Sequence, residues 1–104
     1  MFAITMGQGF QITMENGWTV SVQFGAGNYC ERRDADYKAA KRNDFWESNS
    51  AEIAAWFGDR NGLGTDNWYK FLNLDPTGET IVKGYCSPNE VVEFLGVVAT
   101  LAPR

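Results

Sequence analysis

The alternation of apolar and polar residues is clearest between Phe10 and Phe24. Phe10, Ile12 and Met14 alternate with Gln11 and Thr13, and Trp18, Val20, Val22 and Phe24 alternate with Thr19, Ser21 and Gln23. Both runs have the two-residue period of a half-buried strand, with Glu15-Asn16-Gly17 between them. Face matching sets the register. A two-residue Asn-Gly turn would put Met14 opposite Thr19 and mix apolar with polar side chains on each face. A three-residue loop with Gly17 in the left-handed conformation pairs Met14 with Trp18, Ile12 with Val20 and Phe10 with Val22. Thr13 then meets Thr19 and Gln11 meets Ser21, so this is the predicted register. Phe2, Ile4 and Met6 share the parity of Phe10. That predicts a first strand beginning near Phe2 and bent or bulged at Gly7 and Gly9.

The end of the chain has a helical period. Ser87-Pro88-Asn89-Glu90 places Ser at an N-cap, Pro at the first helical position and Glu at the third. Val91, Phe94, Leu95, Val98, Leu101 and Ala102 form one stripe, with Pro103 as its stop. Between hairpin and helix the pattern is less decisive. Ala51–Phe57 reads either as a helix capped by Asn49 and Glu52 or as a strand. Gly58 would cut the helix at two turns, so the strand is preferred, in a long-loop hairpin with Trp68–Leu72. Asp75-Pro76-Thr77-Gly78 has the composition of a turn, and Thr80–Tyr85 of a short strand. Asp34–Arg42 fits a short exposed helix, acids first and bases later, or a solvated loop, and both stay open. The expected fold is α+β: an antiparallel sheet of four to five strands with a C-terminal α-helix packed on one face. Residues 1–104 make one domain, with 31–47 and 58–67 as variable charged or turn-rich loops.

Charge narrows the function. The net charge is −4, against the basic footprint that general DNA or RNA binding needs. Residues 1–30 hold a single charged side chain, Glu15, whereas 31–47 hold five acids and five bases. Four Trp, four Tyr and seven Phe are many rings for one small core, so some are expected in a binding surface. The beginning of the chain, Met1–Met6, has neither a basic start nor a continuous apolar run, and no stretch is long enough for a membrane span. The expected location is the cytoplasm, with Cys30 and Cys86 reduced and packed.

There is no histidine. This removes the commonest general base and metal ligand, and with it any Ser-His-Asp or Cys-His arrangement within the chain. Two cysteines alone are a poor zinc set. Asp59 to Asp66 superficially resembles a calcium loop but has Lys70 where the twelfth-position glutamate belongs. Gly7-Gln8-Gly9 and Gly25-Ala26-Gly27 lack the strand–helix context and following Lys of a phosphate loop. Cys30 precedes Arg32 and Arg33, the setting of a reactive thiol, yet a packed cysteine is the simpler reading. No catalytic residue, metal or cofactor is expected.

Three stretches together carry a resemblance. Gly9-Phe10-Gln11-Ile12-Thr13, Asn16-Gly17-Trp18-Thr19-Val20-Ser21-Val22-Gln23-Phe24-Gly25 and Gly27-Asn28-Tyr29-Cys30 resemble the opening of a group of short, uncharacterised bacteriophage-encoded proteins. Ala51–Trp56, Val82–Tyr85 and Ser87–Val91 are similar to their second half. The resemblance covers about half of the chain and skips 31–47 and 58–67. It implies a phage protein acting in the bacterial cytoplasm and transfers no functional residue.

The expected function is therefore that of a small non-enzymatic phage accessory protein. It would bind and occlude a host or anti-phage defence protein, a CRISPR-Cas inhibitor being one form of this. Arg32, Arg33, Arg60, Trp68 and Tyr69 are the expected partner-binding residues, because Arg, Trp and Tyr dominate binding hot spots. Alternatives are a protein that sequesters a small ligand such as a nucleotide, and a virion-associated protein. Self-association is compatible with any of them.

Overall fold

The structure, a computed structural model, describes residues 1–5, 8–34, 47–58, 67–72 and 79–104. It is α+β. Strands β1 (Phe2–Ile4), β2 (Gly9–Thr13), β3 (Trp18–Gln23), β4 (Ala51–Phe57) and β7 (Lys83–Cys86) form an antiparallel sheet in the order β1-β2-β3-β4-β7. Strands β5 (Phe71–Leu72) and β6 (Glu79–Thr80) form a separate pair, and helix α1 (Pro88–Ala99) packs over β3, β4 and β7.

The β2–β3 hairpin has the predicted register. Phe10 pairs with Val22, Gln11 with Ser21, Ile12 with Val20 and Thr13 with Thr19. Gly17 closes the three-residue loop at φ +89°, where a side chain would be strained. Its N–H donates to the Met14 carbonyl and Met14 N–H donates to that of Trp18. The parity argument therefore separates two environments. Trp18, Val20 and Val22 join Ala51, Ile53, Ala55 and Cys86 under Val91, Phe94 and Val98 of the helix. On the other face Thr13 and Thr19 share a hydroxyl hydrogen bond of 2.8 Å, and Gln23 bonds Thr5 and Ser21.

Helix α1 starts as its sequence predicts. Glu90 N–H donates to the Ser87 hydroxyl, and Ser87 N–H donates to the Glu90 carboxylate at 3.0 Å. That backbone bond, with the Lys83 ammonium 3.3 Å away, holds the Glu90 carboxyl below its ordinary pKa. A group favoured as the anion in the fold stabilises above its unfolded-state pKa and stops doing so as pH falls through its folded value. Acid titration of thermal stability is expected to show a loss beginning at the ordinary glutamate pKa and continuing below it. Glu90→Gln is expected to flatten that part of the profile; an unchanged slope would separate acid sensitivity from the cap.

Four predicted features are corrected. The first strand ends at Ile4, and Gly9 begins the next strand. Thr5 N–H donates to the Gly9 carbonyl and Gln8 N–H to that of Thr5, so the chain reverses. Phe2 lies opposite Ile12, and Ile4 opposite Phe10. The shared parity is that of cross-strand partners, not of one strand. Gly9 sits in regular pairing with Gln23, where a Cβ would meet the Val22 carbonyl at 2.1 Å; it permits close approach and makes no bulge.

Trp68–Leu72 is not one strand beside β4. The backbone of residues 67–69 meets β4 through Phe57 N–H to the Asn67 carbonyl, Tyr69 N–H to that of Ala55, and the Trp56–Trp68 bridge. The other end of that β4 edge already pairs with β7, at Ala51–Cys86 and Ile53–Lys83. Phe71 and Leu72 instead pair with Thr80 and Glu79. Thr80–Tyr85 likewise divides between β6 and β7.

The helix also ends at Ala99, with Thr100 as C-cap, before Leu101 and Ala102. Met6, Gly7, the helix-or-loop segment Asp34–Arg42 beyond Asp34, the calcium-like run to Asp66 and the Asp75–Gly78 turn lie outside the described residues.

Candidate protein-binding surface

After β3 the chain makes a compact loop. Gly25 N–H donates to the Asn28 side-chain oxygen at 3.1 Å, and Gly27 N–H to the Arg33 carbonyl at 2.9 Å. Buried Cys30 directs its thiol to the Gly25 carbonyl. Polar bonds join the loop to the start of β4. Glu52 accepts from Tyr29 N–H at 2.8 Å, Glu31 accepts from the backbone and side chain of Asn49, and Ser50 accepts from Glu31 N–H. The Arg32 guanidinium donates to the Glu47 carbonyl at 2.8 Å and lies 4.0 Å from the Glu31 carboxylate.

Strand β7 completes this surface. Tyr85 N–H donates to the Tyr29 carbonyl at 2.8 Å, and a Cβ on Gly84 would stand 2.5 Å from that of Tyr29. Tyr85 has φ +55°, a left-handed conformation that is unfavourable for an aromatic residue and is concentrated at functional sites. Tyr29 and Tyr85 remain 48% and 58% exposed, and the Arg33 guanidinium lies 5.1 Å above the Tyr29 ring. The result is two tyrosines and an arginine on a bonded frame, the residue types that anchor protein interfaces.

The expected partner-binding residues do not gather in one place. Arg32 and Arg33 belong to this surface. Trp68 is half-buried against Trp56, ring centroids 4.9 Å apart, on the sheet face away from the helix. Tyr69 lies on the helix side, 5.0 Å from Phe71 and 5.2 Å from Phe94, and belongs to the packing around the core. Arg60 lies outside the described residues. Sequence reasoning missed Tyr29 and Tyr85. Tyr29 had a signal in its proximity to Arg32 and Arg33; the backbone strain at Tyr85 had none.

A second feature lies on the helix side. A cleft of about 500 Å³ is lined by Phe10 and Val22 of the sheet, Phe24 just after β3, Val91, Val92 and Leu95 of the helix, and residues 47–50. Among the described residues no group of three or more His, Cys, Asp or Glu is placed to hold a metal, and no helix is long and apolar enough to cross a membrane. Both thiols are buried, and desolvation raises the pKa of Cys86. Comparison of the chain with protein-family models, curated proteins and solved structures returns no match in any of the three.

Proposed function

We propose that this chain is a non-enzymatic binding module that occludes a protein partner through the Tyr29–Arg33–Tyr85 surface. The observation that carries the reading is an exposed tyrosine held at positive φ beside a second tyrosine and its stacked arginine. The Arg33 guanidinium already lies on the Tyr29 ring, and the Tyr85 backbone is tied to the Tyr29 carbonyl, so binding has less conformational freedom to remove than in an untethered loop. The partner class follows from the resemblance to phage proteins: a host or defence-system protein in the bacterial cytoplasm, a CRISPR-Cas effector among the candidates. The nucleotide-sequestering alternative lacks an equivalent support, since Arg32 is engaged by Glu47 and Glu31, and Arg33 lies on Tyr29.

The test is affinity capture from bacterial lysate, followed by titration with the purified captured protein. Tyr85→Asn keeps a residue that tolerates positive φ, and Arg33→Glu reverses the charge on the ring. Each is expected to weaken binding tenfold or more. Equal capture by wild type and both variants would refute the assignment of this surface. A rise of several degrees in melting temperature with a nucleotide, and no protein captured, would favour the sequestering alternative.

A further inference from the structure

The helix leaves part of its own sheet face uncovered. It packs over β3, β4 and β7, while Phe2 and Ile4 of β1 remain 82% and 84% exposed on that same side. Phe10 and Ile12 of β2 are half-buried beside them, and Val92 (67% exposed) and Leu95 flank the strip from the helix. None of these six side chains is charged, and Glu15 is the sole charged side chain in residues 1–30. The strip is thus an apolar step, two strands wide, bounded by a helix.

We propose that this step is filled by the β1–β2 strip of a second copy of the chain, packed face to face about a two-fold axis. The shape is self-complementary. A packed sheet stands about 10 Å above another, and a helix is about 10 Å across. The second copy's two strands therefore fit the layer that α1 occupies next to them, and the relation is reciprocal. Covering the six side chains removes on the order of 500 Å² per copy, about 1,000 Å² in all, the lower bound for a specific interface. The uncharged strip also keeps the repulsion of two acidic chains away from the contact.

Edge-to-edge pairing through β1 covers less of this surface. The bonds Met1–Thr13 and Thr5–Gly9 direct the odd-numbered amides towards β2, which points the Ile4 amide to the open edge. Face packing leaves that amide free to exchange.

Sedimentation velocity of the purified full chain over a concentration series tests the proposal, independently of the Tyr29–Tyr85 surface. The expected result is a reversible dimer of twice 11.6 kDa at micromolar concentration. Phe2→Asp and Ile4→Asp, at positions exposed in the monomer, are expected to weaken it more than a hundredfold while circular dichroism stays unchanged. The Ile4 amide is expected to exchange as fast in dimer as in monomer. A monomer up to millimolar concentration, a dimer indifferent to both substitutions, or protection of the Ile4 amide on dimerisation would each overturn it.

Discussion

Trp18→Ala is expected to destabilise the fold by about 3–5 kcal/mol, the range for deleting a buried aromatic ring. Trp18 is 1% exposed at the start of β3. It packs 5.9 Å from the Phe57 ring, and its indole N–H donates to the Ala102 carbonyl at 3.0 Å. The residue therefore joins the hairpin, β4 and the segment after the helix. Domains of this size are stable by only about 5–15 kcal/mol, so the loss is a large part of the total. At about 4–8 °C per kcal/mol, the thermal unfolding temperature is expected to fall by about 12 °C or more. Trp18→Phe keeps an aromatic ring but removes the hydrogen bond, and is expected to lose about half as much. If calorimetry places Trp18→Ala within 1 kcal/mol of wild type, the hub role of this ring is wrong.

Asn16→Ala is expected to cost about 2–3 kcal/mol, because one side chain serves two elements. Its amide nitrogen donates to the Val98 carbonyl at 2.8 Å and the Leu101 carbonyl at 3.0 Å, while its oxygen accepts from Trp18 N–H at 3.1 Å. The hairpin loop thereby satisfies carbonyls at and just beyond the end of α1. That end has no basic residue in its last turn to complement the dipole. Asn16→Asp provides the sharper test. It retains an acceptor for Trp18 but aims negative charge at two carbonyl oxygens, and is expected to destabilise at least as much as Asn16→Ala. Denaturant unfolding checks both. An aspartate variant as stable as wild type would exclude the amide as the helix C-terminal partner.

The hairpin and the start of the helix were legible because their causes are local. Apolar parity across Glu15-Asn16-Gly17 leaves one register that keeps the faces unmixed. Ser87, Pro88 and Glu90 contain the chemistry of a first helical turn. The strand reading of Ala51–Phe57 also followed from a nearby feature, Gly58. The candidate surface was half legible. Arg32 and Arg33 were chosen for their type, whereas Tyr85 gained its position from a backbone conformation that no neighbouring residue announces. Trp68 and Tyr69 were both expected to bind a partner, but adjacent residues in extended chain point to opposite sides.

Short-range information determined where the chain alternates, turns and begins its helix, since side-chain period and capping depend on residues within a few positions. Tertiary structure alone decided which strand each open edge received. It folded β1 back on β2, divided the β4 edge between β7 and residues 67–69, and brought Asn16 to carbonyls 82 and 85 residues away. The physical reason is that an unpaired backbone group or an uncovered apolar face takes whichever partner the whole fold brings within reach, and the cost of closing a loop to reach it rises only slowly with loop length.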